Sequence, residues 1–156
     1  MSGKVKSLPE LQAIIGAAKT NGKIVVFTNG CFDLLHRGHL HLLLQAKALG
    51  DLLVVAVNSD ASVKRIKGPT RPILSEIDRL ELIAALEMVN YALLFDEPDP
   101  YKILSILRPD ILVKGGDWPA EEVVGRDLVE QYGGRVVRVP YLQGFSTTEI
   151  IAKIRS

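Results

Sequence analysis

One cysteine stands in 156 residues, so no disulfide forms within the chain and no cysteine cluster is available to a metal. Cys31 suits a reducing compartment, and its plainest role is small buried filler. Histidine is nearly as scarce, with three in the chain. Aromatic residues make up 6%, and they form no stacking pattern of the kind a single-strand binder uses. An excess of one charge is also missing: 19 basic residues against 18 acidic leave a net charge of +1, which argues against a nucleic-acid partner. No apolar run approaches a membrane span. Met1 to Leu8 carry Lys4 and Lys6 with no apolar stretch behind them, unlike a secretory leader. The expectation is a cytoplasmic protein that meets neither membrane nor nucleic acid. With no repeat, low-complexity tract or linker, residues 1–156 are expected to form one domain, residues 1–22 being an N-terminal helix packed on it.

What the chain does contain is an alternation. Ser7 with Glu10 makes a capping-box pattern, Pro9 is tolerated in a first turn, and Leu11, Ile14, Ile15 and Ala18 give a helical stripe that Asn21-Gly22 ends. Short apolar runs follow at 24–27, 52–57, 91–95, 111–113 and 136–139, separated by helical patterning. Strands that lose the polar alternation are buried on both faces. The pattern therefore predicts an α/β fold: a Rossmann-like, doubly wound, five-stranded parallel sheet with helices on both faces. Such sheets bind ligands beyond the carboxyl ends of the strands, where strand order reverses.

The chemistry-bearing residues fall at that edge. Thr28-Asn29-Gly30-Cys31-Phe32-Asp33-Leu34-Leu35-His36-Arg37-Gly38-His39 bridges the first strand and a helix start, where free N–H groups and the positive dipole end favour an anion. His36 and His39 share one helical face, and Gly38 between them lets a ligand approach the backbone. Two of three histidines in one tight motif is a concentration that ordinary surface residues do not explain. A zinc site is disfavoured, because the spacing is three without an adjacent glutamate. His41 reads as a helix-surface residue. Asn58-Ser59-Asp60 follows the second strand. Lys64 to Arg71 reads as a mobile basic loop suited to polyphosphate or a sugar phosphate, a solvated loop being the plain alternative. Arg79 opens a helix expected over 76–89 and faces either cleft or solvent. Lys114-Gly115-Gly116-Asp117-Trp118 follows the fourth strand, its glycines free to take positive φ or meet a flat ligand. Ser146 and Glu149 make a second capping box, whose helix N-terminus can also hold phosphate.

The motif from Thr28 to His39 resembles the HxGH signature of the nucleotidylyltransferase superfamily, in the form shared by cytidylyltransferases and heptose phosphate adenylyltransferases. The likeness runs from Lys23 to Arg155, and the Ser/Thr-rich turn at Gly144 to Thr148 is similar to the superfamily's second signature. Lys114-Gly115-Gly116-Asp117 is similar to the adenine-using branch, including the adenylyltransferase domain of the bifunctional protein of ADP-heptose synthesis. Tyr141-Leu142-Gln143-Gly144 lacks the Arg-Thr-Glu-Gly lead common in cytidylyltransferases.

The resemblance implies transfer of AMP from ATP to D-glycero-D-manno-heptose 1-phosphate, giving ADP-heptose and pyrophosphate, with Mg²⁺ on the triphosphate and no metal ligand assigned. His36, His39, Lys64 and Arg71 are then the catalytic charges. Thr28, Asn29, Gly30, Phe32, His36, Gly38, His39, Lys114, Gly116, Asp117, Phe145, Ser146, Thr147 and Thr148 bind nucleotide, and Asp33, Asn58, Lys67, Arg71 and Arg79 bind the acceptor. The resemblance also implies a stand-alone enzyme and a homo-oligomer, with a dimer expected. The rivals are a CTP-dependent glycerol 3-phosphate cytidylyltransferase, a nucleotide-binding module without chemistry and, more remotely, an RNA binder using Lys64 to Arg71.

Overall fold

A computed structural model describes every residue of the chain except Asp117, so that candidate lies outside the described residues. In chain order the elements are α1 (Leu8–Thr20), β1 (Val25–Gly30), α2 (Arg37–Lys47), β2 (Leu52–Asn58), α3 (Asp60–Lys67), α4 (Glu76–Ala85), β3 (Tyr91–Phe95), α5 (Tyr101–Leu107), β4 (Ile111–Gly115), α6 (Arg126–Gln131), β5 (Arg135–Val139) and α7 (Thr147–Arg155), with a short 3₁₀ turn at Ala120–Glu122. The five strands form one parallel sheet in the order β3-β2-β1-β4-β5. The expected doubly wound α/β fold is thus present. Among the described residues no helix is long and apolar enough to cross a membrane.

Successive strand residues point to opposite faces, and here both faces are apolar. Leu53, Val55 and Val57 enter one core with Val26, Leu43 and Ala46 of α2, and Leu80 and Ile83 of α4. Val54 and Ala56 enter the other with Val25, Phe27, Leu11 and Ile15 of α1, Leu104 of α5 and Val129 of α6. Strand order reverses at β1: its outgoing loop leads to α2 on the first face, while that of β4 leads to α6 on the second. The two loops part and leave a crevice between β1 and β4, the place where such sheets bind ligands.

The outer edge of β3 is covered by the N-terminal segment, the Lys6 N–H donating to Ala92 O and the Ala92 N–H to Lys4 O, both at 3.0 Å. That pairing satisfies a sheet edge that would otherwise be open.

Three local expectations need correction. Ile24 lies outside β1, which starts at Val25 and extends to Gly30, so Thr28, Asn29 and Gly30 belong to the strand. The basic segment is not a loop up to Lys67: Ser59 caps α3 by accepting from Ser62 N at 3.1 Å, and Gly68 (φ 104°) ends it. Helix α4 stops at Ala85, short of Val89, because Leu86 turns to extended backbone (φ -70°, ψ 136°), and Asn90, just ahead of β3, is tied to β2, its side-chain oxygen accepting from Leu53 N at 2.8 Å.

Candidate active site at the carboxyl edge of the sheet

The connection from β1 to α2 is Cys31 to His36, and two of its non-glycine residues are left-handed: Phe32 at φ 50° and Leu34 at φ 52°. Each such residue costs on the order of 1–3 kcal/mol and persists only where its surroundings hold it. Here they do. The Asp33 carboxylate accepts from Ile73 N at 2.7 Å, Leu74 N at 2.9 Å and Arg71 Nε at 3.4 Å. Its backbone oxygen accepts from Thr147 Oγ1 at 2.6 Å. Cys31 O accepts from Arg79 Nη1 at 2.7 Å.

At the end of this loop the two histidines cap α2. His36 is the N-cap residue; its Nδ1 accepts from Gly38 N at 3.0 Å, and His39 Nδ1 accepts from His36 N at 3.3 Å. This is a reciprocal capping box made of imidazoles. The rings stack with centroids 3.8 Å apart, and Phe32 meets His39 edge-on at 5.5 Å. Because each Nδ1 accepts, the neutral ring carries its proton on Nε2. Two Nε2–H donors therefore stand together at the positive end of α2. Gly38 is required for a different reason than ligand approach: a Cβ there would lie 2.8 Å from His36 Cε1, so the His36 ring fills that space.

Electrostatics keep both rings neutral. Burial, reinforced by the adjacent His36, holds the His39 imidazole down at about 4 from the usual 6.5, with Asp33 acting in the opposite sense. Burial also lowers His36, partly offset by Glu149. Lys114 is lowered by burial and by the charge of Lys67, which places those two ammonium groups in each other's field. The Cys31 thiol is pushed up by burial against the pull of Lys67, Arg79 and Arg71.

The start of α7 lies beside that of α2. Ser146 caps α7 by accepting from Glu149 N at 3.0 Å, and the Arg37 guanidinium sits 5.4 Å from the Phe145 ring centroid. With the Thr147 bond to Asp33, two helix N-termini face one crevice, an arrangement built for anions. On the far side Gly116 takes φ 109°, and a Cβ there would meet the Tyr141 ring at 2.8 Å.

The structure divides the sequence candidates. Asn29, Gly30, His36, Gly38, His39, Lys114, Gly116, Phe145, Ser146, Thr147 and Thr148 lie along the crevice edge, on the ends of β1 and β4 and the starts of α2 and α7. Lys67 and Arg71 flank Cys31 and Asp33. Lys64 is exposed on α3, and nothing brings it to the histidines. Several others are braces and not lining. Thr28 is buried and donates to Val113 O at 2.9 Å, tying β1 to β4; Phe32 is buried under the loop. Asn58 is buried and donates to Ser62 Oγ at 2.9 Å. Arg79 faces neither cleft nor solvent: fully buried, it donates to Leu74 O, Cys31 O, Asn58 O and Asp60 Oδ1, all within 3.0 Å. Asp33 is buried and saturated by the bonds above. Of the expected acceptor residues, Asp33, Asn58 and Arg79 thus hold protein partners in this structure, and of the expected nucleotide residues Thr28 and Phe32 are buried. Arg37 and Tyr141 were missed. Arg37 had a signal, a cation in a first helical turn that opposes the dipole; Tyr141 had none.

A family model for cytidylyltransferase-like proteins matches residues 27–153. The chain is 54% identical over 153 residues to "Bifunctional protein HldE" of Geotalea uraniireducens, covering 98% of this chain and 31% of that protein. It is 49% identical over 152 residues to the protein of the same name from Nitratiruptor sp., covering 97% and 32%. The chain thus spans about a third of the length of these relatives. Among solved structures, the lipopolysaccharide core biosynthesis protein from Thermoplasma volcanium superposes with a TM-score of 0.67 at 38% identity, covering 78% of this chain and all of that one. A pantoate-beta-alanine ligase from Francisella tularensis, at 16% identity and a TM-score of 0.67 over 99% of this chain and 77% of its own, shares the fold. The matched span begins inside β1 and ends inside α7, and so contains the switch point, the histidine box and both helix N-termini: the chain belongs to the cytidylyltransferase-like family and is a nucleotidyltransferase.

Proposed function

We propose that the chain transfers AMP from ATP to D-glycero-D-manno-heptose 1-phosphate, forming ADP-heptose and pyrophosphate. The observation that carries this reading is the His36–His39 box, two neutral imidazoles with protons on Nε2 at the positive end of α2, beside the start of α7. Similarity to the HldE proteins and to a lipopolysaccharide core biosynthesis protein supports a sugar phosphate as acceptor.

The chemistry needs little from the protein beyond placement and charge. A phosphate monoester has its second ionisation near pH 6, so at neutral pH the attacking oxygen is already an anion. That oxygen forms a bond to the α-phosphorus of ATP. The bridging bond to the β-phosphate breaks, and its electron pair leaves with pyrophosphate. No general base enters. His36 and His39 donate Nε2–H bonds to phosphate oxygens that gain charge, and the amides opening α2 and α7 do the same. Lys67, Lys114 and Arg71 add positive charge across the crevice. Among the described residues no three His, Cys, Asp or Glu side chains converge, so no protein ligand is assigned to the Mg²⁺ that would accompany the triphosphate. Bound with the triphosphate, Mg²⁺ would supply charge neutralisation for the departing pyrophosphate.

The test is pyrophosphate release with Mg²⁺, pairing ATP or CTP with each anomer of heptose 1-phosphate or with glycerol 3-phosphate. Turnover confined to ATP and a heptose phosphate is the expected result. Turnover with CTP and glycerol 3-phosphate overturns the reading in favour of a glycerol 3-phosphate cytidylyltransferase, and ATP binding with no release overturns it in favour of a binding module.

A further inference from the structure

The chain between β2 and β3 sorts its charges by sign. From Lys64 to Arg71 stand four cations, Lys64, Arg65, Lys67 and Arg71, with no acid among them. From Glu76 to Glu87 stand four acids, Glu76, Asp78, Glu81 and Glu87, and the one cation there, Arg79, is fully buried. The last turn of α3 therefore shows solvent a basic surface, and α4 shows an acidic one. The two helices are neighbours. At the start of α3 the Asp60 carboxylate accepts from Arg79 Nη2 and the Asp60 N–H donates to Glu76 Oε1, both at 2.9 Å.

Apolar side chains lie uncovered between these two fields. Ile66 on α3, Ile73 on the connection, and Ile77 and Leu82 on α4 are each 43–49% exposed. Helix α4 packs its other side, Leu80, Ile83 and Ala84, into the core, so the outer stripe is not spent on the fold. A groove of about 470 Å³ runs along that stripe, lined by Leu74, Asp78, Glu81 and Leu82. Carboxylates beside an apolar floor suit a segment that brings cations together with an apolar side chain. The last turn of α3, Lys64-Arg65-Ile66-Lys67, has that composition. Within the chain the two do not meet: among the described residues Lys64, Asp78 and Glu81 have no ion-pair partner, and the pair of Arg65 with Asp96 is exposed on both sides.

We propose that this face joins two copies of the chain about a two-fold axis, the last turn of α3 in each copy seated in the α4 groove of the other. A surface that is positive at one end, apolar in the middle and negative at the other is complementary to itself after half a turn. The contact made once is then made twice, and the assembly closes at two copies. Ile73 and Ile77, in the middle, lose their water. An anionic membrane or a nucleic acid does not fit, because Asp78 and Glu81 would face its phosphates. The contact reaches the active site without lining it: the Ile73 and Leu74 amides that hold the Asp33 carboxylate belong to the connection that the second copy covers.

Sedimentation of the whole chain over a concentration series tests this. A dimer is expected, weakening as salt rises, since exposed charges carry part of the contact. Asp78→Lys with Glu81→Lys makes the groove basic, and Lys64→Glu with Arg65→Glu makes the α3 turn acidic. Each pair of changes sets like charges together twice, so each is expected to raise the dissociation constant about a hundredfold or more. In a mixture of the two variants both contacts join opposite charges again, and a heterodimer about as tight as the parent dimer is expected. All four positions are exposed, and recovery on mixing also shows that both variants fold. Leu82→Gln, which changes no charge, is expected to weaken the dimer about tenfold by removing an apolar anchor. A parent chain that stays monomeric, a parent dimer that the charge-reversed variants or Leu82→Gln reproduce unweakened, or folded variants that stay monomeric when mixed would each overturn the proposal.

Discussion

His39 carries two jobs that one substitution separates. Its Nδ1 helps to close the start of α2, worth about 1 kcal/mol as a cap, while its Nε2–H is free for phosphate. His39→Ala is therefore expected to lower turnover about a hundredfold or more yet move the melting temperature by only a few degrees, as read by pyrophosphate release and calorimetry on one preparation. The same ring sets a pH dependence. Unfolded, it binds a proton near 6.5; folded, only at about 4. Between those values the unfolded chain holds more protons, so stability falls as pH drops through that window and is level above it. Denaturant titrations at pH 7.5 and 5 should show that loss, and His39→Gln should reduce it. Arg79 is the opposite case, a charge used wholly inside the protein. A lysine there keeps the charge but offers one donor point where the guanidinium fork reaches four acceptors. Arg79→Lys is expected to cost about 3 kcal/mol in unfolding free energy, the scale of breaking a buried ionic network from one side. An unchanged denaturation midpoint would refute the brace.

Helix α2 shows why an element's sequence is not always chosen for the element. Gly38 in a first turn forfeits up to about 1 kcal/mol of helix propensity relative to alanine. Gly38→Ala regains that, but its Cβ would stand 2.8 Å from the His36 ring and must displace it. Displacement loses a cap of about 1 kcal/mol. The two effects cancel in stability and do not cancel in function, so the variant is expected to melt near the parent while turnover falls at least tenfold. Helix α7 poses a different problem. It contributes no buried side chain, and its tie to the loop between β1 and α2 is the bond from Thr147 Oγ1 to Asp33 O. Thr147→Val removes the donor at a net cost of about 1 kcal/mol. Hydrogen exchange should then quicken several-fold at α7 amides and leave the sheet unchanged.

On the scale of the whole chain, the fold was legible because a parallel sheet buried on both faces writes itself as uninterrupted apolar runs, such as 52–57, and because capping boxes such as Ser7 with Glu10 are local. The edge that carries the site followed from the order of elements. What stayed hidden depends on distant partners. Arg79 reads as an ordinary helix cation, since its acceptors at residues 31, 58, 60 and 74 come together only in the fold. The partners of Asp33 at residues 71, 73 and 74 were hidden for the same reason, and the helical α3 was masked by its basic run. That division between a core written locally and a site assembled from afar leads to a final expectation. The two cores are complete without α7, whereas the anion site is not, because one of its two helix N-termini belongs to α7. Removing residues 144–156 should lower the melting temperature by only a few degrees. MgATP at a hundred times its dissociation constant should stabilise the full chain by about 2.7 kcal/mol and the shortened chain scarcely at all. Thermal unfolding of both chains with and without MgATP decides it: an equal ligand shift in the two would remove α7 from the nucleotide site, and a shortened chain that fails to fold would show that α7 completes the core.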